Sequence, residues 1–145
     1  MILVDSSVFI SAFRTKKRQW LGKWIKDSGN VITCDLVRAE IKSGVLACAD
    51  NMRRESQLRW FETVFKDMDS RGLDSVLCDK AAELAGQARR NGFATRLDDA
   101  LVAAAALAAD ATDATVATSN VRHFEQLGVH AFNPLSEHLP GKASA

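Results

Sequence analysis

The chain has little of what would tie it to a membrane, a disulfide scaffold or a thiolate metal site. Its three cysteines, Cys34, Cys48 and Cys78, are odd in number and form no CxxC pair, so neither a disulfide framework nor a zinc site is indicated. No apolar run approaches the roughly 18 residues of a membrane span. The apolar stretch at the N-terminus has no basic region before it and is too short for a signal peptide. A reducing, cytoplasmic setting is the expectation. Charge of one sign is also missing: the net charge is +1, which argues against a general nucleic-acid coat. There is no internal repeat, low-complexity tract or linker. With 145 residues, 47% of them hydrophobic and 26% charged, the chain suits one globular domain with a single core. That domain is expected over residues 1–139, with 140–145 as a loose tail.

What is present alternates between strand and helix signals. Ile2-Leu3-Val4 is an apolar run too short for a helix and reads as a strand buried on both faces. A helical region follows, ending near Lys26-Asp27 with Gly29 as its stop. Val31–Cys34 is a second strand, and Asp35 can cap a helix running to about Ala49. A further helix covers roughly Arg53 to Met68. A third strand is expected at about Leu73–Leu77, then helices at about 79–91 and 97–109. Thr115–Thr118 reads as a fourth strand, residues 121–127 as a short helix, and Val129–Phe132 as a fifth strand. Such alternation implies βαβ units and an α/β fold, a parallel sheet of about five strands covered on both faces. The paired helices between strands two and three exceed a minimal crossover and could form an arm or clamp. Trp20, Trp24, Trp60, Phe61 and Phe65 fall at helical spacings, which predicts core positions, with a partner surface as the alternative for Trp60 and Phe65.

The acids matter because of where they fall. Asp5 ends the first strand, and in open parallel sheets ligands bind at the carboxyl ends of strands. Glu40 lies at the edge of the inward stripe marked by Val37, Ile41 and Cys48, with Val45 nearby. It is either a carboxylate in need of a partner or a surface residue paired with Lys42 or Arg38. Asp98 and Asp99 head a helix of small residues; capping explains one of them well, and spacing does not choose between the two. Asn120 follows the fourth strand, as a candidate for the same edge or as a plain helix cap. Carboxylates from several strand ends, with no His/Cys cluster, favour a hard divalent cation such as Mg²⁺ or Mn²⁺. Such a centre orients a water and hydrolyses phosphodiesters. The basic clusters Arg14-Lys16-Lys17-Arg18, Arg53-Arg54 and Arg89-Arg90 with Arg96 read singly as solvated faces; arranged around an acidic site they would suit a phosphate backbone.

Four segments in order, Val4-Asp5-Ser6-Ser7-Val8, Ala39-Glu40-Ile41-Lys42-Ser43-Gly44, Asp99-Ala100-Leu101-Val102-Ala103-Ala104 and Ala117 through Phe124, resemble the successive signatures of PIN-domain ribonucleases. The likeness is greatest to VapC-type toxins of type II toxin–antitoxin systems, and Phe132-Asn133-Pro134 is similar to the ends of some VapC and FitB-like members. The resemblance covers nearly the whole chain. It implies a three-layer α/β/α fold and an Mg²⁺- or Mn²⁺-dependent endoribonuclease. It further implies neutralisation by a VapB-type antitoxin, and a homodimer or a hetero-oligomer with that antitoxin. Carried over by position, Asp5, Glu40 and Asp99 are the acidic, metal-holding triad, and Asn120 stands where many relatives have a fourth acid. Ser6, Thr118 and Asp98 are expected as supporting neighbours, His123 as a bystander, and His130 and His138 as structural. For an RNA substrate, expected to be a tRNA or rRNA loop, Arg14, Lys16, Arg96 and Arg122 are the candidate phosphate contacts. A phosphatase with Asp5 as nucleophile is disfavoured, because Ser7 occupies the place of its second aspartate. The receiver-domain reading lacks a fitting acid near Ser75–Leu77. A PIN-fold module that binds RNA or partners without cutting is the remaining alternative.

Overall fold

In the computed structural model, residues 1–137 are described. They form five short strands and eight helices: β1 (Ile2–Val4), α1 (Ser6–Arg14), α2 (Arg18–Ser28), β2 (Val31–Cys34), α3 (Asp35–Leu46), α4 (Asn51–Phe65), β3 (Ser70–Arg71), α5 (Ser75–Arg90), α6 (Leu97–Ala109), β4 (Thr115–Ala117), α7 (Val121–Gln126), β5 (His130–Phe132) and α8 (Pro134–Glu137). All strand pairs are parallel, in the order β3-β2-β1-β4-β5, with helices flanking the sheet. The expected α/β architecture with a five-stranded parallel sheet is therefore present. Growing from β1, the sheet extends through β2 to β3, then returns to the other side of β1 for β4 and β5. The strand order thus reverses between β1 and β4, where such sheets open a crevice at their carboxyl ends.

The core follows from the apolar runs. Leu3, Val4, Ile32, Cys34, Val116 and Ala117 are buried in the strands, and Val8, Phe9, Val37 and Ile41 cover them from α1 and α3. Helix α6 is unusual: Ala100 and Val102 through Ala106 are all buried. With so little side-chain volume it packs close against α5 and reaches both β1 and β4, which brings its first turn to the crevice. Phe61 and Phe65 stack with ring centroids 4.4 Å apart and are buried, whereas Trp20, Trp24 and Trp60 are partly buried against the core. Among the described residues no helix is long and apolar enough to cross a membrane.

Several boundaries differ from expectation, each for a local reason. The first helical region is two helices. Between Phe13 and Trp20 lie only polar residues that cannot extend an apolar stripe, and the chain turns there with Lys16 at φ 59°. Gly29, at φ 67°, ends α2 as expected of a left-handed cap. The third strand is at Ser70–Arg71, not Leu73–Leu77. Asp74 accepts a hydrogen bond from the Leu77 amide at 2.8 Å, so residues 75–77 open α5, and the buried series Leu77, Ala81, Ala85 and Ala88 follows helical spacing. Leu73 and Val76 are exposed, unlike a strand buried on both faces. Helix α4 begins at Asn51, two residues before the expected start, because Asp50 accepts from the Arg53 amide; it ends at Phe65, before Met68. Helix α3 stops at Leu46 instead of Ala49. Its cap position is Cys34, and Asp35 instead accepts a hydrogen bond from the Ser70 hydroxyl of β3. Helix α8 was not expected. His138 and the tail at 140–145 lie outside the described residues.

The cap at Asp74 can be tested by stability. Asp74→Ala is expected to lower unfolding free energy by about 1 kcal/mol in urea titrations, and Asp74→Asn by much less, because both Asp and Asn cap well. Equal stability of all three proteins would contradict the cap.

Candidate active site

Four chain segments deliver polar side chains to the crevice. Asp5 follows β1, Glu40 sits in the middle of α3, Asp98 and Asp99 occupy the first turn of α6, and Asn120 follows β4. With Ser6, Ser7, Arg96 and His123 they line a cleft of about 290 Å³. Larger hollows exist elsewhere, but none of them gathers acids in this way.

Asp5 is buried, and its carboxylate is fixed from both strand ends. Its Oδ2 accepts hydrogen bonds from Ser7 Oγ at 2.8 Å and from Thr118 Oγ1 at 2.9 Å. Each hydroxyl in turn accepts a backbone N–H, Ser7 from Ser119 and Thr118 from Asn120, both at 3.0 Å. Because each hydroxyl has one proton, both protons are spent on Asp5. The 3.1 Å approach of Ser7 to Thr118 is then a contact between two acceptors held by a common carboxylate. Among the described residues no donor reaches Oδ1, which remains available to a ligand.

The adjacent aspartates are placed differently. Asp98 takes a bidentate grip from Arg96, Nε and Nη2 each at 3.0 Å, and its Oδ1 also accepts the Asp99 amide at 2.9 Å. The guanidinium holds the Asp98 carboxyl below its ordinary range. Asp99 has no such partner. Burial, then the charges of Asp98 and Asp5, push it up to about 6 against a weaker pull from His123 and Arg96. His123 Nδ1 stands 3.7 Å from Asp99 Oδ2, an ion pair only when the imidazole is protonated. Glu40, half-buried, is pushed up by burial and then by Asp5 and Asp98, with a hydrogen bond from Ser6 opposing. It makes no pair with Lys42 or Arg38; the Arg38 guanidinium lies over the Phe61 and Phe65 rings. Asn120 occupies the cap position of α7 without a side-chain capping bond, so its amide is free to face the cleft.

The structure thus brings together Asp5, Glu40, Asp98, Asp99, Asn120, Ser6 and Arg96, with Thr118 directly behind Asp5. It does not bring Arg14 and Lys16, at the far end of α1, into the cleft lining, and Arg122 lines a neighbouring groove between α5 and α7. Two residues escaped the sequence reading. Ser7 figured in the sequence only within the first motif and as the residue in place of a phosphatase's second aspartate, although its place two residues after Asp5 is the available signal. His123, taken for a bystander, follows Asn120 by three residues and so shares its side of α7.

The donor set is made of hard oxygens, and its carboxylates raise one another's proton affinity. Both features suit a divalent cation that would relieve the crowding. Asp5 through Oδ1, Glu40 and Asp99 are the residues that could hold one. Among the described residues no three acidic, histidine or cysteine side chains stand close enough to enclose an ion unaided.

A parallel sheet whose strand order reverses above a crevice of carboxylates is an α/β architecture consistent with the PIN type, and the chain belongs to the PIN-domain family, which it matches over residues 2–129. It is 30% identical over 139 residues to the plasmid stability protein StbB of Pseudomonas syringae pv. tomato, the match covering 92% of this chain and 98% of StbB. FitAcB from Neisseria gonorrhoeae shares its fold with a TM-score of 0.78 at 23% identity, covering 96% of this chain and all of that one. VapBC2 from Rickettsia felis, bound to a promoter DNA fragment, does so with a TM-score of 0.71 at 19% identity over 92% and 98% of the two chains.

The raised proton affinity of Asp99 makes a signed prediction. A carboxyl whose folded pKa lies near 6, above the ordinary 3.8, favours the folded state at low pH and loses that contribution as pH rises through 6. In EDTA, Asp99→Asn is therefore expected to melt at a higher temperature than wild type at pH 7.5, the gap closing toward pH 4. A gap independent of pH, followed by thermal shift, would contradict the electrostatic origin.

Proposed function

We propose that this protein is the toxin of a VapBC- or FitAB-like toxin–antitoxin pair, an Mg²⁺- or Mn²⁺-dependent endoribonuclease acting in the cytoplasm on RNA and neutralised by a VapB-type antitoxin. The observation that carries the reading is the convergence of Asp5, Glu40 and Asp99 from three separate elements on one cleft at the reversal of strand order. Support also comes from the relatives: one is named for plasmid stability, and similar folds occur in FitAB and VapBC complexes, some bound to DNA.

In this reading Asp5, Glu40 and Asp99 hold the cation. When bound, it supplies a water of lowered pKa and offsets charge at the phosphorus. The chain's own residues do the positioning. Ser7 and Thr118 fix the rotation of Asp5, so its Oδ1 is presented without a search through rotamers. Arg96 occupies both carboxylate oxygens of Asp98, which leaves Asp99 as the ligand of the pair. Asn120, an amide in place of a carboxylate, contributes an oxygen without adding to the crowding, and binds through a water or orients the substrate. His123, beside Asp99, faces the same cleft and can donate to a phosphate oxygen. A partner that places an arginine among these acids would compete with the cation by forming charge-assisted bonds, a direct route to inhibition.

The test is cleavage of total tRNA and rRNA by purified, antitoxin-free protein in Mg²⁺, Mn²⁺ or EDTA, with cut ends mapped. Discrete metal-dependent cuts are expected, lost in Asp5→Asn although the variant stays folded. Asp98→Asn is expected to be much milder than Asp99→Asn. Ser7→Ala and Thr118→Ala should each lower activity by roughly 10- to 100-fold, as removal of ligand-orienting partners does. Wild-type rates in folded Asp5→Asn would sink the assignment of the acidic triad, whereas no cleavage by the folded wild type would leave the non-catalytic binding module as the better account.

A further inference from the structure

The acidic cleft has a neighbour. A groove of about 620 Å³ runs between the C-terminal half of α5 and α7, and two stretches of chain connect it to the cleft. Arg122 lines the groove and the adjoining His123 lines the cleft. Phe93 lines the groove, and Arg96, three residues further on, lines the cleft. Three residues span at most about 11 Å, so a nucleotide next to one lying over the cleft can reach the groove.

Phe93 is 38% exposed, an unusual setting for a residue that cores normally take up. Its backbone is pinned. Its backbone N–H donates to the Ala88 carbonyl at 3.0 Å, and Gly92, at φ 88°, closes α5 in a left-handed turn that favours glycine. Arg89 donates to the Thr95 carbonyl at 3.0 Å and staples the same loop. Gln87, Asn91, Gln126, Glu125 and Arg122 line the same groove. Among the described residues, none of these five side chains has a hydrogen bond or an ion pair. An exposed aromatic on a pinned backbone, sharing a groove with uncommitted planar donors and acceptors, matches what an unstacked nucleobase requires: stacking on the face and hydrogen bonds along the edge.

The geometry points to a base-recognition subsite for single-stranded RNA, in which the base of a nucleotide flanking the cut stacks on Phe93. Gln87, Asn91 and Gln126 meet the base edge. Arg122 takes the phosphate that leads back to the cleft. Glu125, which only accepts, repels phosphate and reserves its side of the groove for a base edge that donates. The subsite rests on the ribonuclease reading above, and its test separates the two.

The full chain is compared with Phe93→Ala and Phe93→Trp in two measurements. In cleavage of RNA oligonucleotides randomised around the cut, Phe93→Ala is expected to raise KM roughly tenfold and to flatten the base preference at one flanking position, whereas Phe93→Trp retains both. In EDTA, anisotropy of a labelled single-stranded RNA should show the same tenfold loss for Phe93→Ala. If wild type cuts nothing but Phe93→Ala still weakens RNA binding, the subsite stands and the nuclease reading falls. If wild type cuts and Phe93→Ala matches it in KM, flanking preference and binding, the subsite is overturned. It is equally overturned if Phe93→Ala loses a co-purified antitoxin while binding RNA normally, since the groove then takes a peptide.

Discussion

The site depends on one pairing, that of β1 with β4. Val4 is in register with Ala117, and the Asp5 amide extends the ladder by donating to the Ala117 carbonyl at 2.9 Å. That single alignment sets Asp5 beside Thr118, closes the Ser7–Asp5–Thr118 arrangement and turns Asn120 toward the same crevice. Side chains alternate along a strand, so a slip of one residue would send Asp5 to the opposite face. The strands are only three residues long, and the buried Leu3, Val4, Val116 and Ala117 hold the register against such a slip.

Stability and chemistry pull in opposite directions within the cleft. Burial favours neutral carboxyls, as the upward shifts of Glu40 and Asp99 show, whereas cation binding needs them ionised. The chain manages this by treating its acids unequally. Asp5 is held by two hydroxyls, Asp98 is matched by Arg96, and Asp99 and Glu40 are left to carry the unrelieved charge. Arg96 is largely exposed, so its attraction to Asp98 contributes little to folding; its effect is local, setting which of two neighbouring aspartates remains available.

Much of this was legible in the order of residues, and the exceptions are instructive. Strand-ending Asp5, the apolar runs of β1, β2 and β4, and the small-residue helix behind Asp99 could be read directly, because burial on both faces permits few other residue types. The third strand lies at Ser70–Arg71 and not at Leu73–Leu77, because the apolar Leu73, Val76 and Leu77 are outweighed by one capping carboxylate at Asp74. Asp98 and Asp99 could not be separated by spacing; their difference lies in which of them Arg96 reaches. Ser7, His123 and the groove beside Phe93 depend on contacts between segments distant in sequence, which a linear pattern does not contain. The four ordered motifs did carry the family, since each falls where the fold delivers a side chain to the crevice.

Helix α6 has a further consequence. Most of the buried residues that set how closely Asp98 and Asp99 approach the sheet are already alanines, Ala100 and Ala103 through Ala106. An alanine scan passes over them without a mark, because there is nothing to truncate. Their contribution is the volume they leave vacant, and it becomes visible only when volume is added. Mutational tolerance measured by deletion of side chains therefore understates how tightly this helix is constrained. The map of sensitive positions should change when substitutions enlarge residues instead of shortening them.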